Sequence, residues 1–246
     1  PITTSLRKAL GLETTPLYNR ERMREITVGD YLEYTSNIPH CSAFTDSVWL
    51  MPHQSSVSHS AGKFIPVRAM LCDEVGLGKT IQAGAIASRL IGEGTVTRTL
   101  IVAPKATLTQ WAFELSSKFK LPVSICTGGR ISRYYEGEVL DEYSAGQVST
   151  IPSDLVGHTP TIIISKDWLV RRPLGYIKEL ANMTDLLIID EAHHARIHNW
   201  DKKEGTKLWH LIRKASDIIP NILLLTATPY QTGQQDYLGL LDIIMA

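Results

Sequence analysis

The chain has few of the features that would commit a protein to a membrane, an oxidising compartment or a uniformly charged partner. Its three cysteines, Cys41, Cys72 and Cys126, are widely spaced, odd in number and form no CxxC pair, so neither a disulfide framework nor a cysteine-based zinc site is expected. No apolar run approaches the roughly 20 residues that span a bilayer, and the first residues lack the basic-then-apolar layout of a secretion signal. A cytoplasmic protein with no membrane partner is therefore expected. Charge of either sign is also lacking on balance: 25 basic side chains face 25 acidic ones. That excludes a uniformly basic nucleic-acid wrapper but leaves room for local contacts through backbone amides and hydroxyls. Internal repeats and low-complexity tracts are missing too, which excludes solenoids and arrays.

What is present is ordinary for a globular α/β domain: 246 residues, 43% apolar and 20% charged. Residues 1–48, including "YNRERMREITVGDYLEY", show no sustained periodicity and read as an N-terminal appendage to a sheet domain over 49–246. From Val67 onward, short apolar runs alternate with amphipathic stretches, as repeated βα units do around a parallel sheet. The runs "VRAMLC", "TLIVA", "PVSIC", "TIIIS", "LLIID" and "ILLLT" are nearly continuous in Ile, Leu and Val, which suits strands buried on both faces. Helices are expected to start near Lys79, Ala106 and Gly205, with a last one after Gln235. Residues 128–160, rich in Gly, Ser and Pro, read as one long connection of the functional or mobile kind.

The stretch "LCDEVGLGKT" is almost a phosphate-binding loop. Counting back from Gly78-Lys79-Thr80 in the pattern GxxxxGK(S/T) puts Asp73 where the first glycine should stand. The surroundings are nevertheless those a phosphate loop needs, an apolar strand before it and a helical pattern, "IQAGAIASRL", after it. Gly76 and Gly78 allow positive φ and close approach to an anion, while the first amides of the helix direct their hydrogens and dipole at it. Lys79 supplies a mobile positive charge for terminal phosphates, and Thr80 a hydroxyl for magnesium. A glycine-rich turn with a surface lysine would look the same if it stood alone.

It does not stand alone. "LLIIDEAHH" ends an apolar run in Asp190-Glu191, two carboxylates where a buried strand emerges at its carboxyl edge. Asp190 can hold magnesium and Glu191 can take the proton of an attacking water, two jobs that require two acids. A strand running into a solvated acidic helix start would also place a DE pair there.

Together "DEVGLGKT", "DEAHH" and "LLLTATPYQT" resemble motifs I, II and III of superfamily-two helicases and translocases of the Swi/Snf type, in which an aspartate commonly stands where Asp73 does. The resemblance covers residues from about 50 to 246 and not the first 48. It implies a three-layer RecA-like P-loop NTPase fold with a mostly parallel central sheet. It also implies ATP and Mg2+ as cofactors, with nucleotide contacts from Asp73, Glu74, Gly76, Leu77, Gly78, Lys79 and Thr80. Gln54 in "LMPHQ", 25 positions before Lys79, resembles the glutamine that reads adenine, although His53 stands where a tyrosine is frequent. His193, Thr226 and Thr228 are implied to couple the nucleotide to the nucleic-acid face. Pro104 and Lys105 in "LIVAPKATLTQWAFEL", and Ser165 in "IIISKDWL", match segments that face nucleic acid in the family. Tyr230 and Thr232 flank Gln231 where many relatives have an apolar residue and Asn, which leaves the subgroup open.

His193, His194 and His198 invite a zinc reading, but positions i and i+5 share a helix face poorly and His193 already has a place in the motif. Trp111 and Trp168 are read as core residues, and the Arg171-Arg172 pair fits either a phosphate contact or a solvated face.

The resemblance further implies a motor built from two RecA-like lobes, the second supplying arginines worth roughly a thousandfold or more in rate. The chain is accordingly expected to be the first lobe of a longer protein, with the C-terminal lobe and double-stranded DNA as partners. "DEVGLGKTIQAG" resembles bacterial members associated with RNA polymerase, making polymerase a further candidate partner. The leading expectation is a DNA translocase or remodeller. A strand-separating or restriction-associated helicase lobe, and a non-catalytic nucleotide- or DNA-binding module, are the alternatives.

Overall fold

Short runs of β-branched residues and leucine make strands here because burial on both faces of a sheet rewards them at every position. The protein is described by a computed structural model covering residues 50–61, 64–74, 76–144, 151, 159–230 and 233–246. The strands are β1 (Arg68–Leu71), β2 (Thr99–Ala103), β3 (Val123–Thr127), β4 (Arg130–Tyr135), β5 (Glu138–Ser144), β6 (Thr161–Ser165), β7 (Leu186–Ile189), β8 (Ile197–Asn199), β9 (Glu204–Gly205) and β10 (Asn221–Leu225). The helices are α1 (Pro52–Ala61), α2 (Lys79–Gly92), α3 (Leu108–Lys118), α4 (Lys166–Leu169), α5 (Leu174–Asn182), α6 (Lys207–Ser216) and α7 (Gln234–Ile244).

Eight strands form one sheet in the order β1-β10-β7-β2-β6-β3-β4-β5, and β8 pairs with β9 in a small ribbon. The first six are parallel, while β3-β4 and β4-β5 are antiparallel. Alternation along each central strand divides its side chains between two helical layers. Leu100, Val102, Ile162, Ile164, Leu187 and Ile189 pack with α4, α5, α6 and α7. Ile101, Ala103, Ile163, Leu186 and Ile188 pack with α2 and α3. The result is the three-layer α/β architecture expected of a RecA-like domain.

The six apolar runs all become strands, with ends that move by a residue or so. Three elements depart from expectation. Residues 130–144 are not an irregular connection: they form the β4–β5 hairpin, turned by Glu136 and Gly137 at φ 53° and 86°. Such a two-residue turn normally carries Asn-Gly or Asp-Gly, so Glu-Gly gives a weak signal. The hairpin is held to α3 by the Gly137 N–H, which donates to Ser116 Oγ at 3.2 Å. Helix α1, "PHQSSVSHSA", has a sequence too polar to advertise itself, yet it packs on α2. Helix α5 covers the stretch following Arg171-Arg172; the Arg172 guanidinium lies 4.2 Å from the Trp168 ring centre, itself edge-on to Tyr176. The expected appendage over 1–48 lies outside the described residues.

Two polar fasteners hold the amino ends of the strands. Asn221 Oδ1 accepts from Val67 N–H at 2.8 Å, and its Nδ2 donates to Asp185 O at 2.9 Å. The Arg68 guanidinium donates to five backbone carbonyls, those of Ser216 at the end of α6, Ile219 and Pro220 just after it, and Ile243 and Ile244 at the end of α7.

Candidate functional site

A parallel sheet brings all its carboxyl ends to one edge, and the sequence puts its chemistry there. Leu71 pairs with Leu225, Leu224 with Ile189, Ile189 with Val102 and Ala103 with Ser165. The residues that follow these positions, from Cys72 through Thr226, Asp190 and Pro104, therefore emerge side by side.

The loop after β1 leads into α2 as a phosphate loop does. Gly76 and Gly78 both take positive φ, 89° and 81°, and Gly78 is the N-cap residue of α2 in the left-handed region. A side chain there is disfavoured by that φ and would also displace the Gln54 amide, because a Cβ on Gly78 would lie 2.4 Å from Gln54 Nε2. Lys79 folds back on the loop, its Nζ donating to the carbonyls of Asp73 at 2.8 Å and Glu74 at 3.0 Å. Thr80 is half-buried in the first turn of α2. The family-marking Asp73 accepts a 2.5 Å hydrogen bond from the amide of Gln82, a fully buried residue one turn into α2. The aspartate thus ties the start of the loop to the helix that ends it, a part Gln82 plays without having been singled out from sequence.

Gln54 reaches the same loop from α1. Its Nε2 donates to the Leu77 carbonyl at 3.1 Å and its Oε1 accepts from Met51 N–H at 3.0 Å, with His53 Nε2 3.2 Å from that carbonyl. One amide hydrogen and one lone pair of Gln54 are left for a further partner.

At the end of β7, Asp190 Oδ2 accepts from the Trp111 indole N–H at 2.9 Å and Oδ1 from the Glu191 backbone N–H at 2.9 Å. Burial pushes the Asp190 carboxyl above the usual carboxylate range and the neighbouring Glu191 charge adds to this, against the Trp111 hydrogen bond and the nearby Lys79 ammonium. The lysine and the acid, 111 positions apart in the chain, share one electrostatic neighbourhood. Glu191 holds φ 51° and ψ 49°, a left-handed conformation that a non-glycine residue adopts at a cost of about 1–2 kcal/mol. Such strain concentrates at functional positions.

From Glu191 a polar chain runs to the end of β10. Glu191 Oε2 lies 3.1 Å from His193 Nδ1, and that nitrogen lies 3.1 Å from Thr226 Oγ1. Thr226 Oγ1 in turn accepts from Thr228 N–H at 3.2 Å. Burial, followed by the cations Arg196 and Lys166, lowers the His193 pKa, which favours a neutral ring in this chain. His194 stacks obliquely on it, 4.4 Å between ring centres. Of the residues matched to nucleic-acid-facing segments, Pro104 caps a short 3-10 turn and Lys105 is exposed. Ser165 is buried and its hydroxyl accepts from Trp168 N–H as the cap of α4, so Lys105 is the member of that group most open to solvent.

The donor set suits a hard dication: a half-buried carboxylate with lone pairs remaining on both oxygens and, at the start of α2, a hydroxyl. Trp111 is a core residue at 1% exposure, as expected, but its polar edge belongs to this site.

The chain is similar to several known proteins. The RNA polymerase-associated protein RapA of Actinobacillus succinogenes is 34% identical over 197 residues, 80% of this chain and 19% of the relative. RapA of Histophilus somni is 36% identical over 195 residues, again 79% of this chain and 19% of the relative. The chain thus spans about a fifth of the length of these curated relatives. Among solved structures, the Sulfolobus solfataricus SWI2/SNF2 ATPase core in complex with dsDNA matches with a TM-score of 0.58 at 20% identity, over 80% of this chain and 36% of that one. The UvsW helicase of bacteriophage T4 matches with a TM-score of 0.52 at 13% identity, over 88% of this chain and 66% of that one. At such identities these likenesses speak for the fold alone. The SNF2-related domain matches residues 46–246, and on that match, with the RapA identities beside it, this chain belongs to the SNF2-related domain family.

Proposed function

We propose that the chain is the first nucleotide-binding lobe of a bacterial DNA-dependent ATPase that translocates along, or remodels, complexes on double-stranded DNA. The observation that carries this is the meeting of Lys79, Asp190 and Glu191 at one edge of the sheet. ATP fits the loop from Asp73 to Thr80, its phosphates taken by the amides at the start of α2. Lys79 exchanges its two carbonyl partners for phosphate oxygens, and Gln54 offers its free amide edge to the base. Asp190 and Thr80 would hold Mg2+, which neutralises charge on the phosphate oxygens when bound. Glu191 orients the attacking water and accepts its proton. His193, Thr226 and Thr228 carry the state of that carboxylate toward the face where Lys105 is exposed.

In this reading residues 49–246 form the lobe, a C-terminal RecA-like lobe of the longer protein completes the site with arginines, and the protein works in the cytoplasm. None of the described helices is long and apolar enough to cross a membrane. The name of the RapA relatives makes RNA polymerase the protein partner to test first. The experiment is a pair of substitutions in the two-lobed protein. Lys79→Ala removes nucleotide binding, whereas Glu191→Gln keeps binding and loses DNA-stimulated hydrolysis. Normal turnover by Glu191→Gln would show that another group takes the proton.

A further inference from the structure

Trp111 is the fourth residue of α3, 1% exposed, and comes from the opposite side of β2 to reach the end of β7. A buried indole needs a partner for its N–H, and in a core that partner is commonly a carbonyl. Trp209 in this protein does that, donating to Gly239 O at 2.9 Å. Trp111 instead donates to a carboxylate of the candidate site, at 2.9 Å. With the Glu191 N–H on the other oxygen, both oxygens of Asp190 are restrained and the plane of the carboxylate is fixed. The lone pairs not taken by these two donors are therefore aimed before any cation arrives.

We infer that Trp111 is a positioning residue for the cation-binding carboxylate of this site, and that the ligand it serves is a divalent cation carried by a nucleoside triphosphate. The inference rests on the nucleotide-site reading above. Removing a group that orients a metal ligand typically weakens metal affinity about 10- to 100-fold. Trp111→Phe keeps an aromatic ring in the core and deletes the N–H donor. Titrating ATP into the chain in EDTA, and then Mg2+ into the ATP-loaded chain, separates the two events. The expected result is ATP affinity in EDTA within about twofold of the parent, and a Mg2+ half-saturation weakened about tenfold or more. Half-saturation within about twofold of the parent overturns the inference.

A second measurement covers a variant that fails to fold. The five tryptophans give five indole N–H signals in a 15N-labelled chain. Asp190→Asn displaces the Trp111 signal and identifies it, and Mg2+ added to the ATP-loaded parent moves that same signal. If that signal stays still while Mg2+ strengthens ATP binding, the positioning role is refuted. A chain that takes up no ATP with or without Mg2+ overturns the nucleotide-site reading and this inference with it. ATP uptake with a Mg2+ response indifferent to Trp111→Phe overturns the inference alone.

Discussion

Replacing Arg68 by methionine should unfasten the domain at the end of the sheet remote from the site. The guanidinium serves five carbonyls, and its two shortest contacts are to Ile244 O at 2.6 Å and Ile243 O at 2.8 Å, at the carboxyl end of α7. Hydrogen bonds from a charged donor are worth about 1.5–3 kcal/mol each in net terms. The five are not additive: they share one donor group, and the carbonyls of the α6 turn can turn to water. Counting only the two short contacts in full gives about 3–6 kcal/mol, with a smaller gain from placing a cation at two helix carboxyl ends. Methionine matches the stem, so the apolar packing of the side chain is retained. For a domain of this size each kcal/mol lowers the melting temperature by about 2–4 °C, so a drop of roughly 6–24 °C is expected. Urea unfolding followed by far-UV circular dichroism gives the free energy from the midpoint at constant m-value. Arg68→Lys should fall between, because an ammonium has three donors and no planar fork. A loss below about 1 kcal/mol for Arg68→Met would show that water satisfies these carbonyls equally well, and the argument from the fork would fail.

Gly78→Ala adds a Cβ 2.4 Å from Gln54 Nε2 at φ 81°, so Gln54 must leave the loop, and ATP affinity by calorimetry should fall about tenfold, the equivalent of 1.4 kcal/mol. Gly76→Ala meets nothing within 4 Å and carries only the strain of φ 89°, so its loss should be the smaller of the two; the reverse ranking would contradict the account of Gln54. Gly84→Ala places a methyl 2.5 Å from Phe119 Cε2 between α2 and α3 and should cost about 1–3 kcal/mol in urea, with Phe119→Leu restoring part of it. His193 and His194 are both held below the ordinary histidine value of 6.5, first by burial and then by neighbouring cations. The unfolded chain takes up these protons first, so stability is whole above about pH 6.5 and falls as pH drops through that value toward the lower folded ones. The urea midpoint at pH 5.5 relative to 7.5 should fall less in a His193→Asn, His194→Asn variant, and an equal fall would assign the acid sensitivity elsewhere.

The parallel strands were legible because burial on both faces leaves an unbroken apolar signature, as in "TLIVA" and "TIIIS", whose ends agree with β2 and β6. The start of α2 was legible because glycine, lysine and threonine are each required there for a different reason. Local polarity hid α1: a helix of serines and histidines is set by its packing on α2, a tertiary effect. The β4–β5 hairpin was hidden by its Glu-Gly turn and by the Gly- and Ser-rich stretches on either side. Within the candidate site, Lys79, Asp190 and Glu191 are marked by residue type, whereas the sequence shows Trp111 only as a core residue and gives Gln82 no mark at all. Their contributions depend on which carboxylate each N–H meets, Asp190 across 79 positions and Asp73 across nine, and no spacing rule encodes that.

The antiparallel hairpin has a consequence for how such a domain can diversify. Strands β1 and β5 lie at opposite margins of the eight-stranded sheet, and seven interstrand steps of about 4.8 Å put them about 34 Å apart. Lengthening, trimming or recolouring the hairpin therefore shifts no register among β1, β10, β7 and β2, whose carboxyl ends carry the candidate site. A lineage can experiment with new surface at that border, provided the seat of the hairpin against α3 is kept.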